Sequence, residues 1–166
     1  MLDIGCGHDA HGTVNIDLKH LNPKPTNFIQ ADACHLPIRD DSVNEVVCRQ
    51  VIEHLEAPVQ MLREAKRVLH HGGSVTVSTP NPLHWRRLLR ASRGKTVELG
   101  FHEHINCWTQ HEIENLVQHA DLALSKVWFE TPQALLHAHK IDRYVGKLLP
   151  KALGQRHLMV KATNGF

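Results

Sequence analysis

The chain has 166 residues, 42% of them apolar and 22% charged, which is the composition of one globular domain occupying residues 1–166. No run approaches the roughly eighteen apolar residues of a membrane span, and no basic stretch leads into an apolar one at the start, so neither a transmembrane helix nor a secretory leader is expected and the expected location is cytoplasmic. The net charge of +2 is uneven, with seven Lys/Arg against ten Asp/Glu in residues 1–67 and twelve against seven in residues 68–166, which makes the second half the face for an anionic partner.

In chain order, short β-rich runs come first: LDI (2–4), TVNI (13–16), NFIQ (27–30) and VNEVVC (43–48), each bounded by Gly, Pro, Asp or Asn. Between the first two there is only a glycine turn and a short polar stretch, too little for the helix of a full βαβ unit. APVQMLREAKRVLHHGG then predicts an amphipathic helix, with Pro58 in its first turn, Leu62, Ala65 and Leu69 on one face, and the double glycine as its stop. SVTVSTP (74–80) is β-branched, as in a strand covered on both faces.

PLHWRRLLRASRGK reads as a basic helix closed by Gly94, with five Lys/Arg among residues 85–95 and Leu88 and Leu89 opposite them. Residues 109–120 predict a helix opened by a Thr109/Glu112 capping box, with Ile113, Leu116 and Val117 along one side. A strand over 122–130, a helix over 131–149 and a closing strand over 156–162 complete the pattern. Strands alternating with helices imply a mostly parallel sheet with helices on both sides, and such sheets take ligands beyond the carboxyl ends of their strands.

Those ends carry the informative residues. After the first strand, Gly5-Cys6-Gly7 offers close main-chain approach and amides free to donate. Asp17 after the second strand suits two ribose hydroxyls, and Asp32 after the third suits an exocyclic amine. The four cysteines are scattered with no C-x-x-C pair, consistent with reduced thiols. HEHINCWTQH gathers His102, Glu103, His104, Cys107 and His111, yet its spacing matches no standard zinc pattern, so no metal site is expected.

The segments LDIGCG, VNIDL, ADACHLPIRDDSVNEVVCRQVIEHL and EAKRVLHHGGSVTVSTPN, followed by EHINCWTQHEIENLVQHADL, resemble the class I S-adenosylmethionine-dependent methyltransferases, most closely the small-molecule group that includes quinone-biosynthesis enzymes. The resemblance implies a Rossmann-like fold: a seven-stranded sheet in the order 3-2-1-4-5-7-6, its last strand antiparallel. It implies S-adenosylmethionine as cofactor and a small-molecule or lipid-linked acceptor, with no nucleic acid and with peripheral membrane contact left open.

By position it assigns Asp3, Gly5, Cys6 and Gly7 to the methionine moiety, Asp17 and Leu18 to the ribose and adenine edge, and Asp32 and Ala33 to the adenine. Arg49 and Gln50 fall at the sulfonium end, and His54, His102 and His104 are candidate bases beside the acceptor, His54 and His104 foremost. Asp9 stands where the third motif glycine is usual, and Gly12 comes too late to replace it. GHDAHGTVNIDL looks like the compact variant whose first helix is short or absent. Its lost helix dipole and exposed sheet face favour cover from the C-terminal helix or a partner subunit, a homodimer being one such arrangement, and make a non-catalytic cofactor-binding subunit that needs a partner the alternative function.

Overall fold

The computed structural model describes residues 1–95, 104–131, 145 and 148–165. Seven strands form one sheet: β1 (Leu2–Ile4), β2 (Val14–Asp17), β3 (Phe28–Gln30), β4 (Val43–Arg49), β5 (Leu69–Pro80), β6 (Ala123–Glu130) and β7 (His157–Thr163). Their order is β3-β2-β1-β4-β5-β7-β6, as the resemblance implied. β1 to β5 pair in parallel, while β7 slots antiparallel between β5 and β6.

The parallel register aligns the carboxyl ends of β1, β2 and β4, since Ile4 sits opposite both Ile16 and Cys48. Because β7 runs the other way, its first residue His157 lies opposite Pro80 at that same end of the sheet, with Glu130 on its other side. Both termini of the pattern thus deliver side chains to one edge.

Helix α1 (Pro58–Val68) buries Met61, Leu62, Ala65 and Val68, and α3 (Gln110–His119) buries Ile113 and Val117. These join Leu2, Ile4, Ile16, Val46, Cys48, Val75, Val77 and Val160 in one apolar cluster. The strand residues all share one face, as period-two alternation requires. The capping box at Thr109 is present, its amide donating to Glu112 Oε2 at 2.7 Å.

One boundary moves. The first helix ends at Val68, not at the double glycine, because Leu69 is already extended and pairs with Val43. Gly72 and Gly73 instead lie in an irregular stretch of β5 that clasps the chain end, the Gly72 amide donating to Asn164 O and the Asn164 amide to Gly73 O, both at 2.9 Å. Gly72 needs its φ of +77° there.

The basic helix is α2 (Trp85–Ser92), and Gly94 closes it at φ +65°. A short helix, α4 (Lys151–Gly154), precedes β7. The helix expected over 131–149 falls largely outside the described residues. Among the described residues no helix is long and apolar enough to cross a membrane.

No helix separates β1 from β2, as the compact reading expected. Its place is taken by a loop held on buried polar side chains. Asp3 and Asn15, only 1% and 2% exposed, point to the face opposite the apolar cluster. Asp3 Oδ2 accepts the His11 amide, and Asn15 both accepts from the Gly12 amide and donates to Gly12 O and Thr26 O. The loop thus packs over Asp3 and Asn15 at this point, while most of the C-terminal helix expected as cover lies outside the described residues.

Candidate functional site

The glycine turn after β1 is shaped by two different constraints. Gly5 has φ +67°, and a Cβ there would meet Val51 Cγ2 at 2.1 Å. Gly7 has φ +52° with open space where a side chain would project. Gly12, dismissed as too late in the motif, makes a close approach of its own: a Cβ would lie 2.4 Å from Val14 O and 2.9 Å from Asp3 Cβ.

The amides of this turn are not free, contrary to the sequence reading. Those of Gly5 and Cys6 both donate to Ile16 O, and that of Gly7 donates to Asp17 Oδ2 at 2.9 Å. Without a helix to enter, the turn folds back onto the end of β2 and satisfies its donors there. Burial, with Asp17 and Asp3 nearby, pushes the Cys6 thiol up to about 11, which disfavours the thiolate form.

Asp17 ends β2 with one oxygen on the Gly7 amide and the other on the Lys19 amide, each at 2.9 Å. Each carboxylate oxygen accepts more than one hydrogen bond, so capacity for a diol remains. Leu18 beside it is 68% exposed and presents an apolar surface at the end of β2. Asp32 accepts the Cys34 amide at 2.8 Å and stands 3.2 Å from His35 Nδ1, and the Cys34 amide foremost holds its carboxyl below the usual range. Ala33 is buried next to it.

Arg49 reaches back from β4 to Asp3 Oδ2 at 2.8 Å and to Asp9 O at 3.2 Å. Arg49 thereby ties the loop down through the main chain at Asp9 and the buried carboxylate of Asp3. Asp3 Oδ1 is buried and has no hydrogen-bond partner among the described residues. Gln50 adopts φ +55°, its amide donating to Ser78 O and its side chain to Ser78 Oγ at 3.2 Å.

These pieces line a cavity of about 300 Å³ bounded by Gly5, Cys6, Asp9, Arg49, Gln50, Ser78, Glu130, His157 and Met159. Of the predicted residues it brings together Gly5, Cys6, Arg49 and Gln50. Asp3, Gly7, Asp17, Leu18, Asp32 and Ala33 follow the same strand ends towards β3 without lining it. Sequence reasoning missed its far wall, because Ser78, Glu130, His157 and Met159 converge only through the antiparallel return of β7. Burial lowers the pKa of His157 against the opposing pull of Glu130, and the positive charges of Arg156 and Arg87 add to the lowering.

His54 and His104 lie outside that lining but are neighbours. Their ring centroids are 4.6 Å apart in an edge-on arrangement, and His104 Nε2 is 4.0 Å from Glu53 Oε1. Glu53 is 1% exposed, and burial pushes its carboxyl up to about 7. His102 falls outside the described residues. On α2, Arg86 stacks over Trp85 at 4.9 Å, and Leu88 and Leu89 are exposed.

Comparison with known proteins finds methyltransferases among those similar in sequence and in fold. Residues 6–77 match the family described as a methyltransferase domain. A probable S-adenosylmethionine-dependent methyltransferase of Mycobacterium tuberculosis is 49% identical over 53 residues, a stretch covering 32% of this chain and 19% of that protein. The matched stretch is thus about a fifth of the curated relative's length. Among solved structures, a SAM-dependent methyltransferase from Archaeoglobus fulgidus superposes with a TM-score of 0.68 at 15% identity, covering 98% of this chain and 84% of the other. The [4+2]-cyclase SpnF superposes at 0.63 with 16% identity, over 98% of this chain and 73% of that one.

Proposed function

We infer that this chain, which has the fold of S-adenosylmethionine-dependent methyltransferases and whose residues 6–77 match a methyltransferase-domain family, binds S-adenosylmethionine and transfers its methyl group to a small-molecule or lipid-linked acceptor. The observation that carries the reading is the run of strand-end groups, from the cavity at Gly5, Arg49 and Gln50 through Asp17 to Asp32.

The residues suit the cofactor chemically. The open space above Gly7 and the cavity beside Gly5 leave room against the main chain, and the unpartnered Asp3 Oδ1 is an acceptor for the methionine ammonium. Asp17 holds the ribose diol, Leu18 and Ala33 pack the adenine, and Asp32 accepts from its amine. S-adenosylmethionine supplies an activated methyl on a cationic sulfur, so the chain has only to align the acceptor and exclude water.

The acceptor lies over Gln50, Ser78, Glu130 and His157 on this reading, with His54 and His104 placed to take a proton from a hydroxyl nucleophile. The site is cytoplasmic and takes no nucleic acid. The exposed Leu88 and Leu89 on the basic α2 give a lipid-linked acceptor a surface to approach along.

A thermal-shift series tests the assignment. S-adenosylmethionine should raise the melting temperature of wild type, and Asp17→Asn and Asp32→Asn should each lower the shift while retaining the fold. Equal shifts in all three proteins would remove these aspartates from the site.

The second reading is a cofactor-binding subunit that needs a second chain, a homodimer being the simplest case. The missing helix between β1 and β2 favours it. Light scattering on a sample that turns over acceptor separates the two, since an active monomer excludes the subunit reading.

A further inference from the structure

The trio Glu53, His54 and His104 goes beyond this reading and does not depend on it. Each residue offers one ligand atom, and the three atoms lie within 4.8 Å of one another. Neither oxygen of the Glu53 carboxylate makes a hydrogen bond of good geometry among the described residues, and the nearby Thr79 hydroxyl and Arg87 charge only partly offset its burial. An acid in that position costs free energy unless it is neutralised or finds a cation.

The grouping is built by backbone contacts. Glu53 and His54 belong to a 3-10 turn, Ile52–His54, directly after β4. The loop carrying His104 is pinned to that turn by the Ile105 and Asn106 amides on Glu53 O, at 3.1 and 3.0 Å, and by Asn106 Nδ2 on Leu55 O at 2.7 Å. The three donors are therefore held together by the fold, from segments about fifty residues apart in sequence.

We propose that Glu53, His54 and His104 bind one divalent transition-metal ion, with zinc the best match. Two imidazoles and one carboxylate form a donor set that suits zinc over magnesium or calcium, and three protein ligands leave a fourth position open. Bond lengths of about 2.0–2.2 Å place donors roughly 3.3 Å apart around a tetrahedral ion. Glu53 Oε1 and His104 Nε2, at 4.0 Å, close to that spacing by modest side-chain rotation. The ion would neutralise the buried carboxylate.

If the methyl-transfer reading also holds, the open position takes an acceptor hydroxyl, and the two histidines become ligands in place of bases. The hydroxyl proton leaves to solvent and the oxygen bonds to the methyl carbon. The electron pair of the broken carbon–sulfur bond stays on sulfur, giving S-adenosylhomocysteine.

The test uses the full chain, stripped with chelator and dialysed. Zn²⁺ titrated by calorimetry should bind at a 1:1 ratio with a Kd of about micromolar or tighter, and Co²⁺ should give the visible absorption of a tetrahedral site. Glu53→Gln, His54→Gln and His104→Gln should each weaken Zn²⁺ binding at least about tenfold, a change of roughly 1.4 kcal/mol, whereas the exposed His71→Gln should leave it unchanged. Circular dichroism confirms that each variant is folded.

Absence of 1:1 binding at about a hundred micromolar Zn²⁺ would overturn the proposal. So would binding that survives all three substitutions, which would assign the ion to other histidines. S-adenosylhomocysteine titrated into the same samples keeps the two readings apart. Cofactor binding without metal binding sinks the metal site alone, and the converse sinks the cofactor site alone.

Discussion

Gly5→Ala perturbs the turn on which the cofactor reading depends, and two separate penalties can be worked out. The native φ of +67° is left-handed, which costs an L-residue about 1–2 kcal/mol. The new Cβ would also stand 2.1 Å from Val51 Cγ2, and relieving such overpacking costs about 1–3 kcal/mol. Together these predict a loss of roughly 2–5 kcal/mol, or about 5–15 °C in Tm for a domain of this size.

Gly7→Ala is the internal control, because its φ of +52° carries the first penalty while nothing lies within 4 Å to cause the second. Urea denaturation of wild type, both alanine variants, Val51→Ala and the Gly5→Ala/Val51→Ala double variant isolates the contact. The double variant should be about 1–3 kcal/mol less destabilised than the sum of its parts. Strict additivity, or Gly7→Ala costing as much as Gly5→Ala, would refute the packing argument and leave only backbone conformation.

Other expectations follow from the same contacts. Asn15→Ala removes three hydrogen bonds to Gly12 and Thr26 from a residue 2% exposed, and should cost about 2–4 kcal/mol in urea denaturation while speeding hydrogen exchange in residues 8–13. The Glu64 carboxyl is held below its usual range by Arg67, with a further hydrogen bond from the Leu36 amide. A depressed acid contributes stability above its unfolded pKa that is lost on acidification, so wild type should be more stable than Glu64→Gln at pH 7 and lose that advantage below about pH 4.5. Leu88→Ser/Leu89→Ser on α2 should abolish co-sedimentation with anionic vesicles without lowering Tm by more than about 2 °C, since both leucines are exposed.

The sheet was legible because its signals are local: β-branched runs end in Gly, Asp or Asn, and a proline and a capping box mark where α1 and α3 begin. Asp17 and Asp32 were legible for the same reason, each following a strand at the edge where parallel sheets bind ligands. What escaped the sequence depends on contacts between distant segments. The turn's amides looked free because nothing local shows that Ile16 O and Asp17 would take them. Leu69 carries the helical period of α1, yet pairing with Val43 makes it the start of β5.

Glu53 went unnoticed beside His54 since its significance arises only when His104 arrives from a separate loop. Serine, glutamate, histidine and methionine at 78, 130, 157 and 159 bear no motif, and only the reversed direction of β7 makes them a wall. The cyclase among the similar structures shows why the site, and not the fold, has to carry the functional argument.

The central claim is that the strand ends from Gly5 to Asp32 hold S-adenosylmethionine. Isothermal titration of S-adenosylhomocysteine into the purified chain tests it most directly. A 1:1 complex with a Kd of about micromolar to a hundred micromolar is predicted, weakened at least about tenfold by Asp17→Ala. No heat at about millimolar ligand, or an Asp17→Ala variant that binds as tightly as wild type, would contradict it.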